Sequence, residues 1–230
     1  MTIPVITVDG PSGVGKGTLS HRLAKHLGWH FLDSGALYRV TGRACEIEGV
    51  SWDDHAAVTA IARDLAVEFV LSAQGEVRAI YKGQDISRDI RTEEGGRGAS
   101  TVGAIPSVRE ALLDRQRKFL QLPGLVADGR DMGTVVFPDA PLKLYLTASA
   151  EVRAQRRFKQ LSNSGESVSI RRLQRDIEER DERDMNRAVA PLRPAKDALL
   201  IDTGELSVDA VFERALSAAK ALGFVQPAPG

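Results

Sequence analysis

One cysteine, Cys45, stands alone in 230 residues, so no intrachain disulfide can form, as suits a reducing cytoplasm. Net charge is missing too: 31 Lys and Arg balance 31 Asp and Glu. A chain so balanced has no overall pull toward nucleic acid or an anionic membrane, and any anion binding must come from local clustering. No apolar stretch approaches the roughly 18 residues of a membrane span. The opening MTIPVITVDG has no basic segment and its apolar run stops at Asp9, which is not the pattern of a signal peptide. Internal repeats and long low-complexity segments are absent, and the lack of a heptad pattern points to a monomer. No histidine pairs obviously with a carboxylate, so His21, His26, His30 and His55 read as surface or packing residues. What remains is an ordinary globular balance, 43% hydrophobic and 27% charged, in a chain long enough to bury a sizeable core.

The spacing of apolar residues alternates between strand and helix. Val5 to Val8 reads as a buried strand, and Leu19, Leu23 and Leu27 predict a helix from Lys16 to Gly28. A short strand is expected over His30 to Leu32, then a helix carrying Leu37, Val40 and Ala44. Ser51 and Asp54 form a capping-box pattern before a third helix with Val58, Ile61 and Leu65. Val67 to Leu71, Glu76 to Tyr81 and Ile86 are short β-like runs split by SAQG and KGQD turns, and they predict a small antiparallel insert. Helical spacing returns at Val108, Leu112 and Phe119. Leu125 to Ala127, Leu142 to Leu146 and Leu199 to Ile201 are further strands. Helices are expected after Ser149, from Ile170 and from Val208, with SNSGES (Ser162 to Ser167) as a loop and QPAPG as a loose tail. This alternation predicts an α/β fold: a parallel β-sheet with helices on both faces, in one domain over 1–230 with its core at 4–222. The β-rich insert would span 63–98, and a helical lid 153–170.

GPSGVGKGT, at Gly10 to Thr18, sits between the first strand and the first helix. Its glycines, Gly10, Gly13, Gly15 and Gly17, let consecutive backbone N–H groups turn toward a phosphate, which side chains would keep out. The helix behind the loop adds its positive N-terminal end. Lys16 supplies a mobile ammonium for the outer phosphates. Pro11, Ser12 and Val14 complete the cradle. Gly17 stands where the general pattern has Ser or Thr, so Thr18 is the candidate hydroxyl for Mg2+, and the direct contact stays open.

GKGT resembles the nucleoside monophosphate kinases. LDSGALYR (Leu32 to Arg39), ADGRDMGTVVFPDA (Ala127 to Ala140) and RDERDMNRAVAPL (Arg180 to Leu192) narrow the resemblance to the bacterial cytidylate kinases, across most of the chain. The resemblance implies ATP as phosphoryl donor with Mg2+, and CMP or dCMP as acceptor. It assigns Arg39, Arg130 and Arg187 to the acceptor phosphate, with Ser34 and Tyr38 as hydroxyl partners. It places Asp131, Arg109 and Ser100 at the base, and Arg180 and Asp184 at the sugar. Lys16, Arg130, Arg157 and Arg187 are the expected catalytic groups, and Arg153 and Arg157 would close over the triphosphate.

Chemistry supports the residue types. A nucleoside monophosphate is mostly dianionic at neutral pH, so it needs no general base. Arginine grips two phosphate oxygens in a plane. Cytosine offers an amino donor to a carboxylate and two acceptors to a guanidinium or hydroxyl. Two other readings remain: a kinase for a different nucleotide or small acceptor, and a nucleotide-dependent switch without phosphotransfer. A guanine-specific switch would carry Asn-Lys-x-Asp, which is absent.

Overall fold

Five consecutive buried residues, Val5–Asp9, form β1 at the centre of a parallel sheet. Burial on both faces explains the unbroken apolar run. The computed structural model describes residues 2–71, 77–163 and 168–224. The chain divides into two units, Met1–Asp33 with Arg117–Gly230, and Ser34–Gln116.

In the first unit, β1 is followed by α1 (Lys16–Leu27) and β2 (His30–Asp33). Beyond the second unit come β6 (Leu125–Gly129), β7 (Leu142–Thr147), α6 (Ala150–Asn163), α7 (Ile170–Asn186), β8 (Leu199–Asp202) and α8 (Val208–Ala221). The strand order is β2-β6-β1-β7-β8, all parallel. Ile6 and Val8 of β1 share a core with Leu19 and Leu23 of α1 and with Phe212 and Leu216 of α8. Alternation turns Thr7 the other way, against Gly133 in a π-helical turn, Met132–Val136. Gly28, at φ 65°, ends α1 by donating to the Ala24 and Lys25 carbonyls. Ser149 Oγ accepts the Val152 N–H at 3.2 Å and so caps α6, as its sequence position predicts.

The second unit holds α2 (Ser34–Ile47), α3 (His55–Arg63), a three-stranded antiparallel sheet, α4 (Glu93–Val102) and α5, which begins at Pro106. The sheet consists of β3 (Val67–Leu71), β4 (Val77–Tyr81) and β5 (Gln84–Asp85), in that order. Ile86, expected in a strand, lies just past β5 with its N–H on the Ala79 carbonyl. Lys82 and Gly83 alone make the turn, both at positive φ, and the last two residues of KGQD are strand. The capping box also needs correcting. Asp54 itself is the cap of α3, its carboxylate accepting the Ala57 N–H, while Ser51 Oγ accepts from Asp53 before the helix starts. A fourth helix, α4, had no apolar periodicity to announce it. Its glycines exist for packing: a Cβ on Gly42 of α2 would lie 3.1 Å from the Gly98 backbone, and one on Gly98 would lie 2.9 Å from the Trp52 ring.

The SAQG turn at 72–75, the 164–167 part of the SNSGES loop and the QPAPG tail lie outside the described residues. No helix among the described residues is long and apolar enough to cross a membrane.

Candidate functional site

The glycine loop leaves the carboxyl end of β1 and ends where α1 begins. Gly10, Gly13 and Gly15 have φ of 147°, 80° and 93°, which side chains would resist. At Gly10 the backbone also runs against β7, and a Cβ would collide with the Leu146 carbonyl.

Lys16 is buried, and its Nζ donates to the Pro11 carbonyl at 2.7 Å. The mobile ammonium expected from the sequence is thus folded back into its own loop. Burial draws its pKa down to about 7, and the neighbouring Arg130 and Arg180 charges add to that, against Asp128 and Asp9. Thr18 is exposed at the start of α1. The Asp128 carboxylate at the end of β6 lies 3.5 Å from where a Gly17 Cβ would be.

The sequence marks Asp9 only as the end of an apolar run and gives Asp128 no role, although each stands at the end of an apolar strand on the loop's side of the sheet. Asp9 accepts the Met132 and Gly133 N–H groups, one on each carboxylate oxygen, both at 2.8 Å. It thereby ties the end of β1 to the turn that directly follows Arg130 and Asp131. Burial pushes its pKa up to about 7 despite those two bonds.

Arg130 directly follows β6. Its Nε donates to Asp184 Oδ2 at 3.0 Å. Burial alone would raise the Asp184 pKa, but Arg130, Arg180 and Arg187 hold it below the usual carboxylate range. Asp184 fixes the plane of the Arg130 guanidinium. Arg187, at the C-cap of α7, has Nη2 3.9 Å from Asp131 Oδ1, and its Nε donates to the Ala190 carbonyl at 2.6 Å. Arg180 reaches back to Ser12 Oγ of the loop at 3.4 Å.

Arg153 and Arg157 lie one turn apart on α6 but differ in setting. Arg153 is 4% exposed. Its Nη1 donates to the Ser12 carbonyl at 3.1 Å, its two Nη atoms span Asp181, and its stem packs against Gly13. Arg157 is half-buried and donates to Gln160 Oε1 at 2.9 Å.

In the second unit, Ser34 opens α2 and Tyr38 and Arg39 follow in its first turns. Arg39 is therefore a helical residue beyond the end of β2. The Arg109 guanidinium lies 5.3 Å from the Tyr38 ring centre, and its Nη1 donates to the Gly103 carbonyl at 3.0 Å, just past α4. Ser100 is buried on that helix. His21 and His26 make edge-on ring contacts with Phe31 and Phe212, in keeping with packing roles.

A glycine loop between a central parallel strand and a helix, backed by a buried lysine and several arginines, is the build of a P-loop phosphotransferase. A family model described as cytidylate kinase matches residues 6–221. The cytidylate kinase of Shewanella amazonensis is 55% identical over 215 residues, 93% of each chain. That of Aeromonas hydrophila is 55% identical over 217 residues, 94% of each. The chain belongs to the cytidylate kinase family, whose membership implies ATP as phosphoryl donor.

Proposed function

We propose that this chain transfers the γ-phosphoryl group of ATP to CMP or dCMP, giving ADP and CDP or dCDP. It would act as a cytoplasmic monomer, without nucleic acid, in pyrimidine nucleotide metabolism. The observation that carries the reading is the charge around the glycine loop. Lys16 is buried beside Arg130 and Arg180, and burial first, then repulsion from those two cations, depresses its pKa. A polyphosphate is the ligand that turns this repulsion into attraction.

An oxygen of the dianionic acceptor phosphate attacks the γ-phosphorus, and the bond to the bridging oxygen of ATP breaks, leaving its electrons on ADP. No proton needs to move, so the protein's task is positioning and charge stabilisation. Loop N–H groups and Lys16 would hold the donor phosphates. Arg130, its plane set by Asp184, and Arg187 would face the charge that builds during transfer. Arg157 suits a closing lid over the triphosphate, within the segment 153–170, while Arg153 supports the loop from below. In the second unit, Ser34, Tyr38 and Arg39 are proposed for the acceptor phosphate, and Ser100 and Arg109 for cytosine's acceptors. In the first unit, Asp131 is proposed for cytosine's amino group. Arg180 and Asp184 are proposed for the sugar hydroxyls.

Mg2+ fits this donor set. Among the described residues no group of three or more His, Cys, Asp or Glu could cage a metal. One carboxylate, Asp128, and one hydroxyl, Thr18, stand at the start of α1, and Mg2+ is commonly held by one or two carboxylates with substrate phosphates and water. When bound it would neutralise charge on the phosphate oxygens.

Mixing the protein with ATP, Mg2+ and each nucleoside monophosphate in turn, and following ADP, tests the reading. Fast ADP release is expected with CMP and dCMP. Equal release with all acceptors, or none with CMP, would overturn it.

A further inference from the structure

The glycine loop must hold its N–H groups inward, and glycine by itself is too free to do so. Carbonyls are the available handles. A trans peptide is planar, with its C=O and the next N–H pointing opposite ways. Whatever holds the oxygen of one residue therefore aims the N–H of the next.

Two loop carbonyls are held by side chains outside the loop. The Val14 carbonyl accepts from Thr203 Oγ1 at 3.1 Å. Thr203, just past β8, is 3% exposed, and its own N–H is bonded to the Thr147 carbonyl at the end of β7. Arg156 Nη1 donates to Thr203 Oγ1 at 3.2 Å. A hydroxyl that already accepts from a guanidinium turns its one hydrogen the other way, here between the Val14 and Thr147 carbonyls, each 3.1 Å from Oγ1, which share it. The Ser12 carbonyl accepts from Arg153, whose guanidinium is gripped by both oxygens of Asp181 on α7. Holding Val14 aims the Gly15 N–H, and holding Ser12 aims the Gly13 N–H.

We propose that Thr203 and Asp181, neither of them in the nucleotide-contacting set, are positioning residues for the phosphate loop. They act chiefly on the donor nucleotide: Thr203 is uncharged, and Asp181, although its charge is also felt by Arg130, is hydrogen-bonded to Arg153. Thr203 works directly on the Val14 carbonyl, and Asp181 works through Arg153. The proposal rests on the assignment of this loop to ATP.

Thr203→Val keeps the shape and removes the hydroxyl, Thr203→Ser keeps the hydroxyl, and Asp181→Asn weakens the hold on Arg153. Dissociation constants for ATP and for CMP would be measured separately by calorimetry, alongside steady-state KM and kcat. Thr203→Val and Asp181→Asn should each weaken ATP binding by roughly 3- to 10-fold, the effect of about one hydrogen bond. CMP binding should stay within about 2-fold, and Thr203→Ser should recover most of the ATP affinity. A loss of fold would weaken both ligands together, so the ATP-to-CMP split separates positioning from stability. Unchanged ATP binding in Thr203→Val, equal losses for both ligands, or a serine variant as weak as the valine one would each overturn the proposal. If Thr203→Val proves too unstable, the same split in Asp181→Asn decides. The unmodified protein is the control for the function itself: if it does not phosphorylate CMP, that assignment fails independently.

Discussion

Lys16 shows how function and stability pull apart at one residue. Its burial beside two arginines costs folding free energy, a cost we propose is offset in function by the charge it offers to the outer phosphates of ATP. We expect Lys16→Met to remove most phosphoryl transfer while stabilising the nucleotide-free protein. The sign follows from the depressed pKa. Above the ordinary lysine value near 10.5 the side chain is neutral folded and unfolded, and its penalty vanishes. As pH falls toward about 7 the unfolded state takes up the proton more readily, and stability is lost. The gain in Lys16→Met should therefore be largest near neutral pH, on the order of a few kcal/mol, and shrink toward about pH 10. Loss of a cation beside Asp9 and Asp128 offsets part of it. Urea unfolding at two pH values checks the trend, and a variant less stable at neutral pH would contradict it. Asp131 carries the prediction on specificity. An ionised carboxylate meets cytosine's amino group as acceptor to donor but meets uracil's O4 as acceptor to acceptor. Such a buried mismatch costs about 1–3 kcal/mol, roughly 5- to 150-fold. Asp131→Ala should lower kcat/KM for CMP far more than for UMP. The ratio of the two is the measure, because loosening Arg187 affects both acceptors alike.

Among the elements, α7 and α4 were read from the sequence with opposite success. The α7 pattern of Leu173 and Ile177 among many charges marked it as a helix, and i,i+4 pairing accounts for its outer face, where Arg172 and Asp176 lie 3.8 Å apart. Its inner face is another matter. Arg180, Asp181 and Asp184 lie near one another on the helix surface and engage Ser12, Arg153 and Arg130 respectively. No local signal separates these from the solvated charges beside them, since partners far along the chain make the difference. α4 failed for the reverse reason. Glycine counts against a helix locally, yet here it permits close approach to α2 and Trp52. Gly98→Ala tests which effect wins. Helix propensity favours alanine by up to about 1 kcal/mol, while overpacking costs roughly 1–3 kcal/mol. The Trp52 ring is rigid, and its Nε1 is tied to the Gly42 carbonyl at 3.1 Å, so it cannot swing aside cheaply. We expect a net loss of about 1–2 kcal/mol, read as a lower urea midpoint. A variant as stable as the parent would mean that the helix pair yields.

Across the whole molecule charge is balanced in number, and at the carboxyl end of the parallel sheet, where such folds bind ligands, buried cations and carboxylates gather side by side, Lys16 and Arg130 with Asp9 and Asp128. Much of this was legible in the chain itself. Strand, glycine loop and helix follow from three local patterns: a buried β-branched run, residues that tolerate positive φ, and a leucine every fourth position. These depend on near neighbours, so β1, the loop and α1 lie where the spacing placed them. The family could be recognised because short motif strings survive intact, and the match over residues 6–221 agrees. Other features depend on contacts between distant segments. Asp9 at the end of β1 clamps a turn more than a hundred residues later, and Thr203 holds the Val14 carbonyl from beyond the last strand. Arg153 became a buried support and Arg157 a half-buried neighbour, although one helix offers both on the same face. The sequence by itself determined the elements with an apolar period, though not α4, and the chemistry of the loop, because backbone preference and apolar period are local. Only the tertiary structure decided which charges are buried, which carbonyls are held and which lysine titrates near neutrality, because desolvation and hydrogen bonding depend on residues that only folding brings together.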